Sequence, residues 1–139
     1  MGHDDLHSPC AFGRTVPARA EHLAALRHSV VEVAARAGAD DEVQIDLSLA
    51  FAEACANVIV HAYDRDEEGP LDVRVDVHGQ ELTVAVSDQG RGMIPRPDSP
   101  GLGLGLPLIA NLADSLEIHD GPDGGTEVVM AFALRRERT

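Results

Sequence analysis

The chain has 139 residues, 44% of them hydrophobic but only 3% aromatic, and a net charge of −13. That is the size of one domain, with a core of Val, Leu, Ile and Ala. The acidic excess argues against nucleic acid and anionic membranes as partners, because both attract proteins through Lys and Arg.

Residues 1–10 read as a mobile tail, and Met1-Gly2-His3-Asp4-Asp5 lacks the basic and apolar regions of a signal peptide. Ala11–Val16 reads as a short strand ended by Pro17. From Ala18 to Ala37 the apolar residues Leu23, Leu26, Val30, Val33, Ala34 and Ala37 recur at helical spacing, and Gly38 is a stop signal. Asp40-Asp41-Glu42 opens a second helix running to about Tyr63, its carboxylates suiting the positive helix end. Within it the nearly apolar stretch from Leu47 to Val60 falls short of the ~20 residues of a membrane span.

After a charged loop over 64–70, Leu71, Val73, Val75 and Val77 alternate, then Leu82, Val84 and Val86, with Gly79 between the two runs. This is a hairpin pattern. Residues 87–105, rich in Gly, Pro and Asp, read as a long functional loop. Leu106–Ala113 is expected to be helical, Leu116–His119 a strand, and Glu127–Leu134 a final strand entered through Gly124-Gly125. The order β-α-α-β-β-α-β-β predicts an α+β fold: two layers, with helices on one face of a mixed, mostly antiparallel sheet. Cys10 and Cys55 have no disulfide context and read as reduced thiols of a cytoplasmic protein.

Three features carry chemistry. Glu53 and Asn57 lie four residues apart, on one face of a helix otherwise apolar nearly all round. Burying such an amide without a partner costs on the order of 2–7 kcal/mol, so something polar must meet it: a hydrogen-bonded core pair or a pocket. Asp88-Gln89-Gly90-Arg91-Gly92 directly follows a strand and reads either as a turn or as a carboxylate with a flat ring close to the glycine backbone. Gly101-Leu102-Gly103-Leu104-Gly105-Leu106-Pro107 runs into a helix, with Pro107 in its first turn. A glycine-rich turn at a helix N-terminus is a phosphate site by geometry and dipole. No Walker Lys follows, and the spacing is not a Rossmann fingerprint.

In this order, and followed by Gly124-Gly125-Thr126, the three features resemble the GHKL (Bergerat-fold) ATPases over residues 11–134 or so. Within that family the chain is most similar to anti-sigma-factor serine kinases of the RsbW and SpoIIAB type. Glu53-Ala54-Cys55-Ala56-Asn57-Val58-Ile59-Val60-His61-Ala62-Tyr63 resembles their N box, Asp88–Gly92 the G1 box, Gly101–Gly105 the G2 box and Gly125-Thr126 the final box. The resemblance implies a nucleotide-binding domain over residues 11–135, with ATP or ADP and Mg²⁺ as cofactors. It makes Glu53 the general base and Asn57 the Mg²⁺ ligand. Asp88 would bind the adenine amino group, helped by Thr126 through water. Gly90 and Gly92 would line the nucleotide. Gly101, Gly103 and Gly105, with Leu102 and Leu104 between them, would wrap the triphosphate. Arg27 on the first helix occupies the place of a partner-contacting arginine.

The implied partners are a sigma factor and an anti-anti-sigma protein of the STAS type, which is phosphorylated on Ser or Thr, and the implied assembly is a homodimer. Asp98-Ser99-Pro100 stands where such kinases often carry Arg or Lys before the G2 glycines. That departure keeps open a nucleotide-gated binding module with little catalysis. The Gly-Leu-Gly-Leu-Gly-Leu-Pro run is also similar to RsbT-type switch kinases.

Overall fold

A computed structural model describes residues 10–64, 67–90, 102–121 and 124–135; of the expected mobile tail only Cys10 falls among them. Strand β1 (Cys10–Pro17) is followed by a 3₁₀ turn (Ala20–His22) and helix α1 (Leu23–Ala37). Helix α2 (Asp41–Asn57) continues without a break into a π-helical turn (Val58–Ala62). The hairpin β2 (Pro70–His78) and β3 (Glu81–Asp88) comes next, then α3 (Leu102–Leu112), β4 (Ser115–Asp120) and β5 (Thr126–Ala133). This is the order of elements expected from the hydrophobic patterning.

The helix ends follow local rules. Gly38 adopts the left-handed conformation (φ 104°), and the next amide, of Ala39, returns to the Ala34 carbonyl at 2.9 Å. That closes α1 as a Schellman motif does. Asp40 caps α2 by accepting from the Val43 amide at 3.1 Å, with Asp41 and Glu42 in the first turn.

The five strands form one sheet in the order β1-β2-β3-β5-β4, and every neighbouring pair is antiparallel. Gly79-Gln80 closes the β2–β3 hairpin between His78 and Glu81, with φ 61° at Gly79, as a two-residue type II′ turn requires. Alternation puts Leu71, Val73 and Val75, then Leu82, Val84 and Val86, then Val128, Met130 and Phe132 on the helix-covered face, all fully buried. The helices meet them with Leu26, Val30 and Ala34 from α1, Val43, Leu47, Phe51 and Val58 from α2 and its π turn, and Ile109 from α3.

The apolar stretch at the centre of the molecule is thus a core helix. Together, Asp41–Ala62 span 22 residues with a mean hydropathy of 1.5, enough in length and composition to cross a membrane. One face of it, with Val43, Leu47, Phe51, Ala54 and Val58, is instead buried in the core, while Ile45, Leu49 and Val60 on its other side are exposed. Cys55 lies at 0% exposure on this face as a free thiol, and burial pushes its pKa up, so it packs as a small hydrophobe.

One boundary differs from expectation. The glycine-rich run was expected as loop up to Gly105, with Pro107 in the first helical turn, but α3 already begins at Leu102 and Pro107 stands inside it. Each glycine disfavours helix by roughly 0.5–1 kcal/mol relative to alanine, so the run reads as loop, and the packing of α3 against α2 overrides that local preference. With no N–H at Pro107, the Gly103 carbonyl lacks its usual helical donor, which leaves the first turn of α3 weakly tied.

Candidate functional site

The period-two stripes that build the core end in polar residues at one edge. On β3 the inward series Leu82, Val84, Val86 is continued by Asp88, and on β5 the inward series Phe132, Met130, Val128 is continued by Thr126. β3 and β5 are antiparallel neighbours with Ser87 opposite Glu127, so these two polar residues come together beneath the helix layer. Both are buried, Asp88 at 2% exposure and Thr126 at 1%.

The Asp88 carboxylate is only partly compensated. The Gly90 amide donates to its Oδ1 at 2.9 Å, while Oδ2 is buried without a hydrogen-bond partner among the described residues. Burial raises its pKa above the ordinary carboxylate value, and the backbone N–H groups of Gly90 and Thr126 pull it part of the way back. Gly125 (φ 71°) passes so close that a methyl group there would overlap the Asp88 carboxylate and carbonyl, so only glycine fits. A cradle with an unused acceptor and two close-packed backbones suits a flat, hydrogen-bond-donating ligand.

Asn57 closes α2 and is 4% exposed, and its Nδ2 also has no partner among the described residues. An amide turned by half a rotation presents its oxygen in the same place, so Asn57 can offer either a donor to a phosphate oxygen or an acceptor to a cation. Glu53, one helical turn earlier, is half-buried and meets α3 at Gly105, where any side chain would overlap its carboxylate. Gly105 of the glycine-rich segment is therefore in direct contact with Glu53.

The described residues bring Asp88, Gly90 and Thr126 together at the ends of β3 and β5, and Glu53 and Gly105 together where α2 meets α3, with Asn57 one turn further along α2. Leu102, Gly103 and Leu104 lie in the first turn of α3 by their backbone. Gly92 and Gly101, with Arg91 and residues 93–100, lie outside the described residues. Arg27 is exposed on α1. Sequence reasoning missed the Tyr63 hydroxyl, which joins two strand ends beside Asp88. The available signal was that the single tyrosine of an aromatic-poor chain directly follows the polar helix.

Comparison with known proteins gives the family. Residues 16–132 match the family model described as the histidine kinase-like ATPase domain. The chain is 32% identical to a serine-protein kinase RsbW of Halalkalibacterium halodurans, over 95% of this chain and 88% of that one. It is 31% identical to the RsbW of Bacillus licheniformis, over 88% of this chain and 84% of the relative. In fold it is similar to a crystal structure of the RsbU and RsbW domains of Rv1364c from Mycobacterium tuberculosis, with a TM-score of 0.68 at 24% identity. That match covers 88% of this chain but only 31% of the longer one. By these matches the chain belongs to the histidine kinase-like ATPase domain family, a family of nucleotide-binding domains.

Proposed function

We propose that this chain is an ATP-dependent protein serine/threonine kinase and anti-sigma factor. In this reading it acts in the cytoplasm as a homodimer, binds a sigma factor, and phosphorylates an anti-anti-sigma protein of the STAS type. The observation that carries the nucleotide part is the pair of buried polar atoms without partners among the described residues, Asn57 Nδ2 and Asp88 Oδ2. Orphaned buried polar atoms cost roughly 1–3 kcal/mol each, a cost that a bound ligand removes. The serine-kinase part rests on the relatives' names and on their coverage of nearly the whole chain.

The residues present fit Mg-ATP. When bound, it supplies the transferable phosphoryl group and the charge neutralisation that phosphoryl transfer needs. Asp88 accepts from the adenine amino group through its free oxygen, with Thr126 beside it, and Gly90 and Gly92 leave room for the ring. Asn57 presents its amide oxygen to Mg²⁺, an ion that takes few protein ligands and keeps several waters. Leu102, Gly103, Leu104 and Gly105 at the start of α3 would offer backbone N–H groups to the phosphates, together with Gly101, which lies outside the described residues. Glu53 takes the proton of the attacking serine or threonine hydroxyl, and Arg27 on α1 meets the protein partner.

A second reading is a nucleotide-gated binding module or RsbT-like switch kinase with little turnover. It is favoured by Asp98-Ser99-Pro100 directly before the glycines, where such kinases often carry Arg or Lys; the nearest cations in the sequence are Arg91 and Arg96. Labelled ATP with Mg²⁺ and candidate antagonist proteins separates the two. Glu53-dependent transfer of label to serine or threonine supports the kinase, whereas nucleotide-dependent partner capture without transfer supports the module.

A further inference from the structure

Tyr63 leaves the π turn in an extended conformation (φ −125°, ψ 152°), and its side chain reaches the edge of the sheet beside Asp88. The β2–β3 ladder pairs Leu71 with Asp88, so the next opposed residues would be Pro70 and Gln89. The Tyr63 hydroxyl stands between them. It donates to the Pro70 carbonyl at 2.5 Å and accepts from the Gln89 amide at 2.8 Å. A phenol thus replaces the next rung of the ladder and separates the two strands where β3 gives way to the loop that carries Gly90.

Two glycines pack against the ring. A methyl group on Gly69 would overlap its Cε1 and Cζ, and one on Gly90 would meet both its Cδ1 and the Ala62 carbonyl. One side chain therefore ties three segments together: the end of the helix carrying Glu53 and Asn57, the start of β2, and the two residues after Asp88. The Gly90 amide, fixed by this arrangement, is the group that donates to Asp88 Oδ1.

We propose that Tyr63 is a positioning residue of the nucleotide site: its hydroxyl latches Gln89 and thereby sets the Asp88 carboxylate for the adenine-type ring. The proposal rests on the nucleotide reading above. It does not place Tyr63 on the ligand; the phenol acts through Gln89 and Gly90. Its effect should therefore fall on the ring end of the site and spare the phosphate end.

The test compares wild type with Tyr63→Phe, which keeps the ring against Gly69 and Gly90 and removes only the hydroxyl, and with Gly69→Ala, which displaces the ring and keeps the hydroxyl. Binding of Mg-ADP and of inorganic tripolyphosphate is measured by calorimetry, and exchange of the Gln89 amide by NMR. With the Gln89 amide and the Pro70 carbonyl left unpaired, both variants should bind ADP about tenfold more weakly, the usual scale for one lost hydrogen bond. Tripolyphosphate affinity should stay within about twofold, and Gln89 should exchange about tenfold faster. Gln89 deprotected with ADP affinity unchanged would overturn the latch. So would equal losses for ADP and tripolyphosphate, the mark of a general stability role. Asp88→Ala separates the two levels. If it leaves ADP binding intact, the nucleotide reading falls and the latch with it; if it weakens ADP while Tyr63→Phe does not, the latch alone falls.

Discussion

The two ends of the candidate site are built by different means. The Asp88 end sits on strand termini: its position follows from the β3–β5 register, its backbone is tied by Tyr63, and Gly125 packs against it. The Glu53/Asn57 end is a meeting of two helix faces, with Gly105 against a carboxylate and a proline inside the first turns of the facing helix. Strand ends locked by ladders give one stable geometry, as recognition of a flat ring needs. A helix start with a missing backbone hydrogen bond can rearrange at small cost, as gripping and releasing phosphates needs.

Substitutions at the two ends should therefore fail differently. The largest effect is expected for Glu53→Gln, which keeps the shape beside Gly105 and removes the base. Phosphotransfer should fall by about 10²–10⁴-fold with ADP affinity nearly unchanged, and a normal rate would remove Glu53 from the chemistry. Asn57→Ala should abolish Mg²⁺-dependent nucleotide binding, a loss of at least about a hundredfold, or ~2.7 kcal/mol, read by calorimetry with and without the metal. Unchanged affinity would refute the metal site.

At the other end, Asp88→Asn should weaken ADP by roughly ten- to a hundredfold and tripolyphosphate far less, since only the ring contact is altered. Equal losses would make Asp88 structural. Its stability should move the opposite way. The pKa of Asp88 is raised in the folded chain above its ordinary value of 3.8, chiefly by burial. The native state thus holds that proton more tightly than the unfolded chain, and the stability this contributes is present below pH 3.8 and lost as pH rises through the raised value. At neutral pH the ionised group is a burden, so Asp88→Asn should unfold no earlier than wild type in thermal scans. A clear drop in midpoint would show that the carboxylate stabilises the fold. The smallest effect lies away from both ends. Asp40→Ala removes the α2 cap and should cost about 1 kcal/mol, with nucleotide affinity unchanged, in denaturant unfolding.

Much of this was legible in the residues. The hairpin alternation, the Gly38 stop and the Asp40-led start of α2 each rest on contacts within a few residues, and such local rules survive in the fold. The Glu53/Asn57 pair stood out because two polar groups on an apolar helix demand partners. What was not legible depended on contacts distant in sequence. The helical start at Leu102 could not be read, because glycine disfavours helix locally; the packing of α3 on Glu53, about fifty residues earlier, overrides that preference. Tyr63 appeared only as the end of a motif, since its hydroxyl partners, at Pro70 and Gln89, become neighbours only when β2 and β3 pair.

The sequence by itself determined the order of elements, the apolar faces and the set of polar residues that had to find partners, because periodicity and burial cost act along the chain. Only the tertiary structure decided which of those residues share a site. The β3–β5 register sets Asp88 beside Thr126, the approach of α3 sets Gly105 on Glu53, and a single phenol joins the helix to the strand end. Each of these depends on backbones brought together across the core, and no local pattern in the chain encodes that distance.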